Sequence, residues 1–250
     1  NKYKYLIFIQ KNNHKYFYSL NLNKNPMKNP SNLTTAFTAE YLKTKLKEVG
    51  ETESQNDKIR LHRAISWVKC AEENSDNPDI KFITLWIAFN ACYSDDEVPL
   101  ETFTEKDHFK QFIKKLVNHD TEQLIFNILW NKFSGPIRLL IENRYAYKYF
   151  WVAQREKNMD WEKSFSNASR KAGEHLANQE VDQLLEVVLD RLYTVRNQLL
   201  HGGATYKSKV NRPQVKDAGN ILAFLVPVII DIMMTNIQDD WGPIKYPVIE

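Results

Sequence analysis

Glycine is scarce, at 7 of 250 residues. Few positions can therefore take left-handed backbone without strain, which disfavours a many-stranded fold rich in tight turns and favours long helices with few connections. Cysteine is scarcer still, at two residues. Cys70 and Cys92 lie inside apolar helical patterns without CxxC spacing, so both are expected as buried thiols in a reducing compartment, and a structural zinc site is not expected. Charge of one sign is not in large excess: a formal net charge of +3 is compatible with a polyanion partner without identifying one. No apolar run reaches membrane-spanning length. The longest, residues 221–234, contains Pro227 and Asp231 and reads as a buried helix, so no membrane association is expected. No segment has the form of a secretory leader, and a cytoplasmic location follows as the expectation. Carboxylates and histidines nowhere fall at metal-ligand spacing, so neither a metal nor another cofactor is expected.

What the chain does contain is ordinary globular composition, 43% hydrophobic and 26% charged, which argues against global disorder. Residues 1–32 stand apart, crowded with Asn, Lys, Tyr, Phe and Ile and without stable periodicity. They read either as a hairpin-like extension, 3–10 against 15–22, or as sequence ahead of a true start at Met27. The second reading is preferred, with little packing or function expected before Asn32. Residues 33–250 read as one all-α domain. Residues 34–49 carry Phe37, Tyr41, Leu42 and Leu46 at helical spacing. Asp57 is a candidate cap for a helix that places Leu61, Ala64, Ile65, Val68 and Ala71 on one face. Residues 80–93 are apolar nearly all round, the pattern of a helix covered on several sides.

Thr104 with Asp107 resembles a capping box ahead of Phe109, Phe112, Ile113 and Leu116. Helices are expected over 121–133, from Pro136 to about 154, and, shorter and polar, over 159–176. The clearest pattern runs through Leu184, Leu185, Val188, Leu192, Val195 and Leu199 and stops at Gly202-Gly203. A basic loop, residues 206–212, precedes a last helix over 214–237. Asp95, Asp96 and Glu97 read as a helix end rather than a metal site. His62, His108, His119 and His175 lack partner spacing and are expected at the surface.

The segment with chemical potential is Arg196-Asn197-Gln198-Leu199-Leu200-His201. An Arg and a His five residues apart arise easily by chance, so the context carries the weight. The pair closes the most regular helix, Asn197 follows Arg196 directly, and Lys207, Lys209 and Arg212 come soon after. At 100° per residue Asn197 and His201 share a face, with Arg196 100° to 140° away. The glycines leave the imidazole at an exposed helix end. A planar guanidinium can hold a phosphate through two parallel hydrogen bonds. Cleaving RNA by attack of the 2′-hydroxyl needs a base, an acid and a cation facing the phosphate. One His cannot serve as acid and base together, whereas a two-fold dimer joining two such helix ends would supply two His and two Arg.

This segment resembles the Rx4–6H motif of the HEPN superfamily, in which a polar residue often follows the Arg. Residues 81–93, with Trp86, Asn90 and Tyr93, resemble the second signature of the ApeA-like HEPN subgroup. Arg63, Ala64 and Trp67 match more weakly. The resemblance covers about 57–236. It implies an antiparallel helical bundle of HEPN type, with core 57–95 and 179–237 and an insertion of extra helices over 101–176 that has no assigned role. It further implies a homodimeric, metal-independent endoribonuclease of the toxin or phage-defence type, acting on RNA and answering to an antitoxin or other regulatory protein. Arg196 and His201 carry over as the catalytic pair, with Asn197 beside them. Lys207, Lys209 and Arg212 are candidates for RNA phosphate contact or a solvated turn. Asn90 and Tyr93 are candidate substrate contacts; Asn90 can equally satisfy buried backbone, and Trp86 and Tyr93 can equally be core. Some HEPN proteins are inactive binding modules, which remains the alternative function.

Overall fold

A computed structural model describes residues 6–11, 14–19, 37–49, 55–93, 104–157, 160–207, 212–244 and 246. The architecture is all-α, preceded by one antiparallel hairpin. The hairpin, β1 (Leu6–Lys11) and β2 (His14–Ser19), pairs Leu6 with Ser19 and Lys11 with His14. Of the two readings of the first residues, this is the hairpin and not the preferred one, and its pairing runs one residue closer to the turn on each strand than 3–10 against 15–22, since Lys11 and His14 also pair.

The helical part begins with α1 (Ala39–Glu48), capped by Thr38, whose hydroxyl accepts from the Tyr41 N–H at 3.2 Å. Then come α2 (Gln55–Glu73) and α3 (Pro78–Tyr93), an antiparallel pair in close contact along their length. The expected face of α2 is the buried one: Leu61, Ala64, Ile65, Val68 and Ala71. Asp57 does not precede this helix as a cap. It lies buried in the first turn, 3.6 Å from Nε of Arg60. Eight of the sixteen residues of α3 are buried, including Phe82, Trp86, Phe89 and Cys92, which is what its all-round apolar pattern demands.

The last helix, α10 (Arg212–Thr235), lies against α3, α2 and α1. Pro213 fits its first turn, where a missing N–H costs nothing. Pro227 lies in its interior and leaves the Ala223 carbonyl without its helical donor. Residues 213–235 are long and apolar enough to cross a membrane, yet most of them are covered by neighbouring helices. Asp231, 8% exposed, meets the Lys45 ammonium at 2.6 Å, so the buried acid of this stretch is neutralised from α1.

Between α3 and the long α9 (Val181–Leu200) lie α4 (Thr104–His119), a short α5 (Leu124–Phe126) running into a π-helical turn (Asn127–Lys132), α6 (Ser134–Glu142), α7 (Lys148–Glu156) and α8 (Trp161–Asn178). The expected helix over 121–133 is therefore mostly π-helical, with Phe133 N–H reaching Ile128 O at 3.0 Å. The expected run from Pro136 to 154 is broken. Asn143 ends α6 and caps a 3-10 turn, Arg144–Ala146, by accepting from Tyr145 N–H at 2.9 Å. The helix expected over 159–176 is present with the same length, 18 residues, displaced by two positions to 161–178. The side chains of Thr104 and Asp107 lie outside the described residues.

Arg60 ties these layers together. Its guanidinium is 2% exposed and donates to Cys92 O (3.2 Å), Trp241 O (2.5 Å), Gly242 O (2.5 Å) and Pro243 O (2.8 Å). It thereby satisfies an orphan carbonyl at the end of α3 and fastens the segment after α10 over the α2–α3 pair. Cys92, fully buried beside it, has its thiol pushed up to about 12 by desolvation, while Cys70 is only partly buried. Arg60→Ala should cost about 3 kcal/mol or more in urea unfolding, because a buried acid loses its neighbouring cation and several carbonyls lose their donor. Arg60→Lys should recover little of that loss, since a single ammonium cannot reach the same fan of oxygens.

Candidate active site

The end of α9 is fixed by its two glycines. His201 closes the helix, its N–H bonded to Asn197 O at 3.0 Å, and Gly202 turns the chain at φ +72° while bonding Leu199 O at 3.3 Å. A Cβ on Gly203 would stand 3.0 Å from the Gln198 carbonyl oxygen. Neither position tolerates a side chain easily, and together they end the helix where the motif ends. The His201 side chain is exposed, and among the described residues no side chain hydrogen-bonds it.

Arg196 is held rather than free. Its Nη1 donates to Asn197 Oδ1 at 2.8 Å, and its guanidinium carbon lies 5.6 Å from the centre of the Tyr193 ring. That ring is braced by Trp86 of α3 at 6.0 Å. Nε is buried without a hydrogen-bond partner. No carboxylate pairs with Arg196 among the described residues, so its charge is not neutralised locally. Asn197 is thus the hinge of the group: its side chain orients Arg196 and its carbonyl receives the His201 backbone. Arg196 and His201 are five residues apart, about 7.5 Å along the axis and 140° around it. One chain presents them on different sides of the helix end. Tyr193 and Leu200, each 48% exposed, flank Arg196 and Asn197 along one stripe of α9.

The chain beyond α9 folds back on the start of α3. Lys207, exposed and at φ +53°, donates its N–H to Oδ2 of buried Asp79 at 3.0 Å, and Asn77 donates to the Tyr206 hydroxyl at 2.8 Å. Lys81 is partly buried, and burial together with nearby Lys216 pulls its proton affinity down. Lys207, Lys81 and Lys216 therefore gather around the first turns of α3 and α10, near the α9 end. Lys209 lies outside the described residues, as does the side chain of Arg212, whose backbone opens α10.

Asn90 and Tyr93 are not brought to this place. Tyr93 packs on Phe89, Phe109 and Phe112 at 5.1 to 5.9 Å. Next to Phe109, Lys110 of α4 meets Glu186 of α9 at 3.9 Å. Glu186 is ten residues, or about 15 Å, from Arg196 along the helix. Asn90, partly buried, is in the same half of α3, and Trp86 is core at 5% exposure. Two of the expected surface histidines have acidic partners instead: His119 with Asp239 at 2.5 Å and His175 with Glu180. His62 is exposed.

One feature of the site was missed from sequence. Gln198 donates to the Tyr145 carbonyl at 2.5 Å, and the Trp151 indole donates to the same oxygen at 2.8 Å. The last turn of α9 is thereby tied to a group of rings, Tyr145 (36% exposed) and Trp151 (38% exposed), with Arg144 5.0 Å over the Tyr145 ring. The signal was present in the run Tyr145-Ala146-Tyr147-Lys148-Tyr149-Phe150-Trp151, too aromatic for an ordinary connection. Comparison with protein-family profiles, with characterised proteins and with solved structures returned no match.

Gly202→Ala should lower stability by about 1 kcal/mol, through the left-handed backbone it must keep. Gly203→Ala should cost a similar amount through the contact with Gln198. Thermal unfolding of the two variants checks this, and an unchanged Tm for both would mean the helix end is not fixed as described.

Proposed function

We propose that this chain is a HEPN-type endoribonuclease that works as a homodimer and needs no metal ion. The observation that carries the reading is the end of α9: an exposed imidazole one turn beyond an Asn whose side chain orients an Arg without an acidic partner. Two such ends meeting across a two-fold axis would set two imidazoles and two guanidinium groups around one phosphodiester. One His201 takes the 2′-hydroxyl proton as its oxygen attacks phosphorus. The other His201 gives a proton to the departing 5′-oxygen, leaving a 2′,3′-cyclic phosphate and a 5′-hydroxyl. Arg196 offsets the charge that grows on the phosphoryl oxygens. Lys207 and its neighbours lend positive potential along the incoming strand. Tyr145 and Trp151 offer faces on which unpaired bases can stack, which favours single-stranded RNA as substrate. A toxin or defence role, with an antitoxin or other regulatory protein holding the activity in check, fits such a nuclease.

The separation of Arg196 and His201 around the helix supports a second reading. A chain that stays monomeric could bind a nucleotide or RNA through Arg196 but not cleave it.

With EDTA present, wild-type protein should cleave single-stranded RNA to cyclic-phosphate ends, and His201→Ala should lower the rate by about 100- to 10,000-fold. Arg196→Ala should do the same, and Arg196→Lys should recover part of the activity. Asn197→Ala should reduce kcat with a smaller effect. Cleavage that survives His201→Ala contradicts the assignment. Binding that weakens in Arg196→Ala, with no turnover by any form, selects the binding module.

A further inference from the structure

Arg191 is a second arginine on α9, and the proposed chemistry does not use it. It is 2% exposed, among the largest fully buried side chains, yet Nε and Nη1 have no hydrogen-bond partner. No carboxylate pairs with it among the described residues. Its guanidinium carbon lies 4.4 Å from the centre of the Tyr147 ring and 5.7 Å from that of Phe165. Two π faces attract a cation but accept no in-plane N–H bonds, so the donors of Nε and Nη1 are unspent. Burial pulls the Arg191 proton affinity down, with the neighbouring Asp190 acting against that. A buried cation with unused donors is costly, and an anion is what relieves it.

The Tyr147 ring that covers Arg191 also walls an open groove of about 550 Å³ between the start of α7 and one side of α8. That volume is in the range of small-ligand sites. The lining includes Lys163, Lys171, Ser164 and Asn167. The Tyr147 hydroxyl and Ser164 Oγ lie 2.5 Å apart at the inner edge. The acid on the rim, Asp160, is engaged as the cap of α8, accepting from Lys163 N–H at 3.3 Å. Two exposed ammonium groups, two hydroxyls and an amide thus line a groove whose Tyr147 wall packs against a guanidinium with two nitrogens lacking acceptors.

We propose that this groove is a phosphate-binding site, separate from the end of α9. The phosphate sits between Lys163 and Lys171, receives hydrogen bonds from Asn167 and the Ser164–Tyr147 hydroxyl pair, and turns an oxygen toward Arg191 beside the Tyr147 ring. The phosphate is carried either by a free nucleotide or by an RNA chain, and the same donors serve both. Because the site is built on α7, α8 and α9, it gives the middle of the chain a binding role that does not depend on whether the α9 end is catalytic.

Isothermal titration calorimetry tests this with full-length His201→Ala protein in phosphate-free buffer. The titrants are inorganic phosphate, ATP and a 5′-phosphorylated hexaribonucleotide, and which of them binds identifies the carrier. At least one should bind saturably. Lys163→Ala with Lys171→Ala should weaken that binding about tenfold or more, and Asp160→Asn should tighten it severalfold. These changes are on exposed residues, so unchanged thermal unfolding confirms that the variants fold. Arg191→Gln should abolish the same binding. No saturable binding by any of the three titrants, or equal binding by the double lysine variant, overturns the proposal.

Discussion

Two helices in this protein, α3 and α10, carry broad apolar faces that cannot face water, and the arrangement follows from the need to cover them. In α10 the buried residues Ile221, Leu222, Leu225, Val226, Ile229, Ile230 and Met233 cover about half of the circumference, and in α3 Phe82, Leu85, Trp86, Phe89 and Cys92 form one broad buried stripe. Neither can sit at a surface, so α1, α2 and the segment after α10 must wrap them. Burial on this scale is the main favourable term in folding, and it leaves little freedom in where the amphipathic helices go. The polar groups that this packing traps are met from adjacent layers: Lys45 answers Asp231, and Arg60 answers the carbonyls of Cys92, Trp241, Gly242 and Pro243.

The candidate site is a consequence of that packing. Helix α9 has one apolar stripe, Leu184, Leu185, Val188, Leu192 and Val195, which it spends on the core. Near its C-terminal end the stripe runs out, the two glycines stop the helix, and the remaining side chains have no interior to enter. Tyr193, Arg196, Asn197, Leu200 and His201 are left partly or fully at the surface. Their mutual placement is nevertheless constrained, by Trp86 behind Tyr193, by the Asn197 amide beside Arg196, and by the bond from Gln198 to the Tyr145 carbonyl. A pre-oriented Arg next to a solvent-facing His suits an interface between copies better than a closed pocket within one chain, because the two groups diverge around the helix axis.

Much of this was legible in the residues, and the exceptions have physical reasons. Periodicity located the buried faces of α2 and α9, since a face of Leu, Ile, Val and Ala at spacings of three and four has little use other than packing on neighbouring helices. The Gly202-Gly203 stop and the exposed His201 could likewise be read directly. The breaks within 121–154 could not, because they depend on Asn143 capping a 3-10 turn and on a π-helical turn that contains Trp130, whose indole bonds Leu176 O at 2.8 Å. Asp57 has the identity of a helix cap but is drawn inside by Arg60, a partner that sequence spacing alone ranks no higher than any other. Tyr93 and Asn90 sit near Trp86 in sequence, yet the antiparallel run of α3 against α9 carries them to the other end. Arg191 was hidden for the opposite reason: within a regular apolar pattern it looks like an exposed position, and only the fold shows aromatic rings closing over it.

The central claim is that two α9 ends form one site, and the dependence of activity on association tests it most directly. Sedimentation and cleavage rates measured over the same dilution series should show a dimer whose activity per chain falls as it dissociates. Leu200→Asp, which places a charge on the exposed stripe, should yield a folded monomer that does not cut RNA. Cleavage per chain that stays constant through the monomeric range, or a monomeric Leu200→Asp protein as active as the wild type, would contradict the account.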